Sequence, residues 1–279
     1  MPELPEVETI KRDLEKEILG KRIKLVEVSG LRSIRRHRTK KDFIGRLEGR
    51  KIEGVSRKGK YLLIRLDDDE LLVVHLGMSG QLLRARSVKE ALEKHTHVVI
   101  TFTQGGQLRF VDPRTFGELF VTPAQQLEEE LPELAHLGFD PLENVMSWTA
   151  FGERLYSRKT KLKPLLMDQR FLAGIGNIYS DEILFAAGLR HDRSSETLTS
   201  QEVRRLYRAM VETLQDAIKH RGSSLADEQY RDLFGEVGDY QSQHQVYDRE
   251  GLACRRCRSV IVREKVAGRS TFFCRQCQV

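Results

Sequence analysis

The chain is short of cysteine over most of its length: all four, Cys254, Cys257, Cys274 and Cys277, lie beyond residue 250. That distribution excludes a disulfide scaffold. Long apolar runs are also missing, so no segment reaches the ~20 residues a membrane-spanning helix needs. The opening MPELPEVETIKRDLEKE is acidic and amphipathic and lacks the basic-then-apolar layout of a secretory leader, which leads us to expect a cytoplasmic protein. Long-period repeats are absent. Net charge is absent too from the first 248 residues, because residues 249 to 279 hold eight Arg or Lys against two Glu and so account for the whole formal charge of +6. Four thiolates on a zinc ion would lower that tail to about +4. A basic stripe of this density suits a polyanion partner, although a solvated basic tail has the same composition.

What is present is enough for two ordinary domains: 279 residues, 39% hydrophobic and 32% charged. Val7, Ile10, Leu14 and Ile18 recur at helical spacing, with Gly20 as a stop. From 22 to 122 the pattern changes to short β-rich runs, RIKLVEV, YLLIRL, ELLVVHL, HVVITF, QLRFV and ELFVT, punctuated by Asp67-Asp68-Asp69 and Gly105-Gly106. These predict an antiparallel sandwich or barrel over 2–122. Residues 123 to 150, with three prolines and the run Glu128-Glu129-Glu130, read as a linker. Beyond it the chain turns helical. Val203, Leu206, Tyr207, Met210, Leu214 and Ile218 trace one face, and 160 to 189 holds two shorter helices joined at Leu172-Ala173-Gly174-Ile175-Gly176-Asn177. Residues 221 to 251 are polar and contain glycine, which predicts a mobile loop.

The sharpest local signal is Cys254-x2-Cys257, sixteen residues, then Cys274-x2-Cys277. Two such knuckles complete a tetrahedral thiolate site suited to a structural zinc, with no open position for a catalytic water. Gly174-x-Gly176-Asn177 opens a helix and offers backbone donors and the Asn177 amide to an anion; plain packing of two helices would use the same glycines. The basic clusters at Arg32, Arg35, Arg36, Arg38, Lys40 and Lys41 and at Arg57-Lys58-Gly59-Lys60 read most simply as solvated faces. Met78 in HLGMSG and Phe116 in DPRTFG fall in tight turns, where they act either as wedges between base pairs or as loop residues folded onto the core. Met1-Pro2-Glu3 gains meaning if Met1 is removed: Pro2 then carries a secondary amine able to attack a sugar carbon, with Glu3 beside it as acid or base.

Taken in order, PELPEVETI at the start, RKGKYL at 57, HLGMSG at 75, DPRTFGELF at 112, LKPLLMDQ at 162, GIGNIYSDEILF at 174 and GRSTFFCRQCQ at 268 resemble the formamidopyrimidine-DNA glycosylase family over the full length. The resemblance implies an α+β fold: an N-terminal antiparallel β-sandwich with flanking helices over 2–122, a linker at 123–150, a helix-two-turn-helix domain over 151–248 and a zinc-finger hairpin over 249–279. It implies a base-excision enzyme that removes 8-oxoguanine and formamidopyrimidines from duplex DNA. The strand is then cut at the abasic site by β,δ-elimination through an N-terminal proline Schiff base. By the same resemblance Pro2 matches the nucleophile, Glu3 its proton-transfer partner and Lys60 a phosphate-binding lysine, with Glu6 supporting the start of the first helix. His75, Lys163, Asn177 and Arg269 match DNA-contacting positions, Met78, Arg114 and Phe116 the residues that fill the void left by an everted nucleotide, and the four cysteines the ligands of one zinc ion. The partner implied is duplex DNA bound by a monomer, with no membrane. A lesion-capping loop falls at about 222–241, without assignable base contacts. Asp248 and Arg258 depart from the family's pattern, which commonly has glycine there, and Ser79 occupies a variable position.

Two alternatives share part of this pattern. A glycosylase for oxidised pyrimidines of the endonuclease VIII type has the same nucleophile and finger, but it resembles a PEGPE start and treats the wedge residues differently. A catalytically silent zinc-finger DNA-binding protein has no need for Pro2 and Glu3 together.

Overall fold

The computed structural model describes residues 1–225 and 230–279, so part of the expected capping loop, 226–229, lies outside the described residues. The chain divides into two compact units, one of residues 1–135 with 220–239 and the other of residues 136–219 with 240–279.

In the first unit, helix α1 (Leu4–Ile18) starts at Glu3 and buries Val7, Ile10, Leu14 and Ile18, the predicted apolar stripe. Strand β1 (Ile23–Val28) and helix α2 (Lys40–Leu47) follow. Then come β2 (Ile52–Lys58), β3 (Tyr61–Leu66), β4 (Glu70–His75), β5 (Gln81–Ala85), β6 (Thr96–Phe102), β7 (Gln107–Val111) and β8 (Glu118–Pro123). Antiparallel pairing gives two four-stranded sheets, ordered β1-β6-β7-β5 and β2-β3-β4-β8. Val26, Leu82, Ile100 and Phe110 of one sheet and Leu62, Ile64, Val74 and Val121 of the other share a single core with α1. The sandwich is thus two sheets and a helix closing on one apolar interior. The segment 123–150 is not featureless, for a 3-10 turn leads into two one-turn helices, α3 (Leu127–Glu130) and α4 (Pro132–Ala135), whose Leu127, Leu131 and Leu134 are buried.

The polar segment after Arg221 also packs. Tyr230 and Leu233 enter the first unit's core, and the Leu233 carbonyl accepts the Arg84 N–H at 2.8 Å. Arg221 reaches Asp232 at 2.7 Å through Nε and bonds Asp13 of α1 through its terminal nitrogen. Its polarity suggested mobility because composition does not show that the polar groups bond one another.

The second unit comprises α5 (Trp148–Tyr156), α6 (Leu162–Met167), α7 (Asn177–Ala187) and α8 (Ser200–Lys219), then the hairpin β9 (Val262–Val266) and β10 (Arg269–Phe273). Val203, Leu206, Met210, Leu214 and Ile218 form the buried stripe of α8, as their spacing requires, while Tyr207 is half-buried and its hydroxyl donates to the Met146 carbonyl. Helix α7 is buried on nearly every side and stops at Gly188, whose φ of +68° suits the left-handed residue that ends a helix. Cys254 and Cys274 pack with Phe185, Val246, Ile261 and Phe272 in a small core of their own. Among the described residues no helix is long and apolar enough to cross a membrane.

Candidate functional site

Helix α1 begins with a double clamp. Glu6, only 1% exposed, accepts the Glu3 N–H at 2.9 Å through one carboxylate oxygen and the Ser223 N–H at 2.8 Å through the other. The backbone at Glu3 and that at 222–223 are thereby tied to one side chain. Pro2 and Glu3 are buried at the head of this helix, and Met1 is exposed. Gly222 has a φ of +82°, and a Cβ there would lie 2.7 Å from a Glu6 oxygen, so the position demands glycine twice over.

Lys60 is placed through the same helix. Arg57, fully buried, donates from Nε to Glu8 of α1 at 3.0 Å and from a terminal nitrogen to the Gly59 carbonyl at 2.9 Å. That fixes the β2–β3 turn, where Gly59 takes a φ of +55°. Of the basic cluster Arg57-Lys58-Gly59-Lys60, then, Arg57 is no solvated charge. Neighbouring His75 pairs with Tyr61 across β3 and β4, its ring centroid 4.6 Å from the tyrosine's. Burial, with help from the Lys60 and Arg35 charges and against that of Glu118, pushes its pKa down to about 4, leaving a neutral imidazole at physiological pH.

Met78, Arg114 and Phe116 come together on two loops joined by Asp112. This carboxylate is wholly buried; one oxygen accepts the Ser79 hydroxyl at 2.5 Å and the Arg114 N–H at 3.2 Å, the other the Gly117 N–H at 2.8 Å. The glycines let the loops touch, since a Cβ on Gly77 would stand 2.6 Å from the Gly117 nitrogen and one on Gly117 2.7 Å from the Phe110 ring. Met78 and Phe116 are left 40% and 46% exposed, although both are large and apolar. The Arg114 guanidinium lies over the Phe116 ring at 5.1 Å. Arg32 donates to the Thr115 carbonyl at 3.3 Å and Arg35 to that of Gly117 at 2.9 Å, so part of the first basic cluster braces this loop. Sequence reasoning singled out the exposed residues, gave Ser79 no role and missed Asp112. The available signal was Asp-Pro-Arg, in which an aspartate can bond the N–H two residues on.

In the second unit, Gln169 of LKPLLMDQ shapes the turn before α7: its side chain accepts the Gly174 N–H at 2.8 Å and donates to the Ile175 carbonyl at 2.8 Å. Asn177 opens α7, half-buried, and its amide oxygen has no partner among the described residues. Lys163 is 1% exposed and sits inside the protein: Nζ lies 2.8 Å from Asp181 Oδ1 and 3.1 Å from the Ser270 carbonyl. Arg269 follows the two-residue turn Ala267-Gly268, with φ of +46° and +78°, and pairs with Val266, the arrangement of a tight hairpin tip. It is exposed.

The four cysteine sulfurs lie within 4.8 Å of one another, Cys254 to Cys277 at 3.9 Å and Cys257 to Cys274 at 3.4 Å. Four thiols at these separations fit one tetrahedral zinc ion in a structural role, bound through all four sulfurs. Asp248 and Arg258, the two departures noted above, both occupy left-handed backbone, φ +57° and +70°.

Two packed antiparallel sheets, a glycine-turned helix pair and a four-thiolate hairpin define a class of enzymes that excise damaged DNA bases. Three sequence profiles agree: the formamidopyrimidine-DNA glycosylase N-terminal domain over residues 1–119, its H2TH domain over 137–229, and a zinc finger found in FPG and IleRS over 251–279. The chain belongs to the formamidopyrimidine-DNA glycosylase family. It is 45% identical to the formamidopyrimidine-DNA glycosylase of Heliobacterium modesticaldum, with all of both chains covered, and 43% identical to that of Desulforamulus reducens, with all of this chain and 99% of the relative covered. Among solved structures it superposes on the MutM (Fpg) protein from Thermus thermophilus with a TM-score of 0.87 at 41% identity, covering 99% of this chain and 98% of that one. Against Lactococcus lactis Fpg in complex with DNA containing an abasic site the TM-score is 0.89 at 36% identity, with 99% of each chain covered.

Proposed function

We propose that this chain removes oxidised purines, 8-oxoguanine and formamidopyrimidines, from duplex DNA as a monomer and then cleaves the abasic site. The observation that carries the reading is the head of α1, where Pro2 directly precedes Glu3 and the backbone at Glu3 is fixed by Glu6. Loss of Met1 turns the Pro2 nitrogen into a secondary amine. Its lone pair forms a bond to the sugar C1′ as the bond from C1′ to the base breaks, and the base leaves. Glu3 serves as proton donor and acceptor while the sugar ring opens and the imine forms. The imine acidifies the adjacent sugar proton. β-elimination then expels the phosphate on the 3′ side, δ-elimination the one on the 5′ side, and a one-nucleotide gap remains.

Lys60, Asn177 and Arg269 bind phosphates around the lesion, and His75 contacts the DNA. Met78, Arg114 and Phe116 offset the lost stacking of the everted nucleotide, and Arg114 faces the orphaned base. Lys163 contributes from inside the protein. Zinc holds the hairpin in shape and takes no part in the chemistry. The domain limits we infer along the sequence are 2–122, a linker at 123–150, 151–248 and 249–279, with residues 220–239 of the third packed into the first compact unit, and we place the protein in the bacterial cytoplasm, working at the nucleoid.

Intact mass together with borohydride trapping on DNA containing 8-oxoguanine opposite cytosine tests this. Protein lacking Met1 should give one covalent adduct. A form that retains Met1 or carries an N-terminal tag should give none while still binding the duplex; an undiminished adduct would move the nucleophile to a lysine. Preference for thymine glycol over 8-oxoguanine would point to the oxidised-pyrimidine branch, and binding without any cleavage to a silent DNA-binding protein.

A further inference from the structure

Two consecutive carboxylates of α7 leave the helix in the direction of the zinc finger. Glu182, buried, accepts the N–H groups of Gln245, Val246 and Tyr247 at 2.8, 3.0 and 2.8 Å, holding the segment that leads into the finger. Asp181, also buried, takes the Phe272 N–H of β10 at 2.9 Å on Oδ2 and the Lys163 ammonium at 2.8 Å on Oδ1. Lys163, from α6, in turn donates to the Ser270 carbonyl at 3.1 Å. The pair therefore grips residues 270 and 272, immediately after Arg269, while Asn177 stands one helical turn before Asp181 on α7.

We propose that Asp181 is a positioning residue for DNA binding, forming with Lys163 a buried clamp that sets the Arg269 hairpin against the helix bearing Asn177. This rests on the reading of Arg269 and Asn177 as phosphate ligands. A buried ion pair is a poor way to gain stability, because apolar side chains of the same volume often stabilise as much or more. What the pair supplies is two directed bonds to one strand, and direction is what an arginine at a hairpin tip needs in order to meet a phosphate. Burial pushes the Asp181 pKa up to about 7 against the pull of Lys163, so the site holds this charge at a cost.

The experiment replaces the clamp with apolar residues, Lys163→Met with Asp181→Leu, in full-length zinc-loaded protein. Melting temperature, zinc content and affinity for a duplex carrying an uncleavable abasic-site analogue are measured as a function of salt. The double variant should fold and hold one zinc, melting below the native protein by no more than the loss of the Phe272 N–H acceptor accounts for, yet bind about tenfold more weakly, the scale of one charge-assisted contact. Its log K against log salt slope should fall by about 0.9, one phosphate contact. Arg269→Ala should show the same loss, and adding it to the double variant should weaken binding no further, because both act through one guanidinium. A folded double variant that binds as the native protein does, while Arg269→Ala binds weakly, overturns the clamp alone. If Arg269→Ala also binds normally, the phosphate-ligand reading fails with it. Should the double variant not fold, Asp181→Asn decides the matter by the same criteria: it keeps an oxygen for the Phe272 N–H and loses the charge that orients Lys163.

Discussion

At the scale of single residues, backbone sign matters as much as side-chain chemistry. Arg258 is an exposed side chain at φ +70° in the first zinc knuckle, where it donates its N–H to the Cys254 carbonyl at 3.0 Å. A non-glycine residue there costs ~1–2 kcal/mol, against ~0.5–1 kcal/mol of chain entropy lost by glycine. Arg258→Gly should therefore stabilise the zinc-loaded protein by about 0.5–1 kcal/mol, seen as a rise in melting temperature at fixed zinc; a fall would mean that the guanidinium makes a compensating contact. Gly222 is the converse case, since alanine would meet both a φ of +82° and Glu6 Oε1 at 2.7 Å. Gly222→Ala should cost about 2 kcal/mol. Because the atom displaced belongs to Glu6, which fixes the Glu3 backbone, the rate of borohydride trapping under single-turnover conditions should fall with stability. A variant that is destabilised but traps at the native rate would separate Gly222 from the head of α1.

Among elements, the paired loops carrying Met78 and Phe116 depend on the buried Asp112 carboxylate. Asp112→Asn replaces one acceptor oxygen by an amide that cannot accept, taking the carboxylate acceptor from either the Gly117 N–H or the Ser79 hydroxyl at a cost of about 1–3 kcal/mol, while the Arg114 N–H keeps the Ser79 Oγ at 3.3 Å. Excision of a base, which requires eversion, should slow more than cleavage of a ready-made abasic site; equal slowing would refer the defect to general instability. At the zinc hairpin, Ala267 occupies the first position of a turn that favours Asn-Gly, with φ +46°. Ala267→Asn should raise stability by about 0.5–1 kcal/mol and leave DNA affinity unchanged, since Arg269 and its pairing with Val266 are retained. Part of the architecture was legible from periodicity, but β2, β5, α2 and α5 matched no apolar run that the spacing singled out. The α1 and α8 stripes, the strand runs and both knuckles stand where the spacing puts them, and the exposed site residues followed from family motifs. What periodicity could not show is which charges turn inward. Arg57, Asp112, Lys163 and Asp181 are typical surface residue types, and each is buried with a partner distant in sequence: Glu8 for Arg57, Ser79 for Asp112, Ser270 for Lys163 and Phe272 for Asp181.

For the molecule as a whole, these buried ionisable groups fix how stability responds to pH. His75 and His244 are both pushed by burial down to about 4, below the usual 6.5. A histidine held neutral in the fold binds fewer protons than in the unfolded chain, so stability is fully present above about pH 6.5 and is lost as pH falls toward 4. Asp181, pushed up to about 7, acts in the opposite sense, since the fold keeps a proton that the unfolded chain releases above its usual 3.8, and that contribution declines as pH rises toward 7. Zinc complicates the acid limb because its thiolates also protonate there. The informative quantity is therefore the difference between a variant and the native protein at each pH, both saturated with zinc, so that the shared loss cancels. His244 is 2% exposed and packs edge-on against Tyr240 and Tyr247, with ring centroids 5.6 Å away in each case. His244→Gln removes the titrating ring and keeps a polar side chain. It should be less stable than the native protein at pH 7.5, where packing alone counts, and the deficit should shrink steadily as pH is lowered from 6.5 to 4.5, because only the native chain then has a buried imidazole to keep neutral. Thermal denaturation across that range reads the result. A deficit that stays constant with pH would show that His244 titrates alike in folded and unfolded chains, and would leave His75 to account for the acid sensitivity.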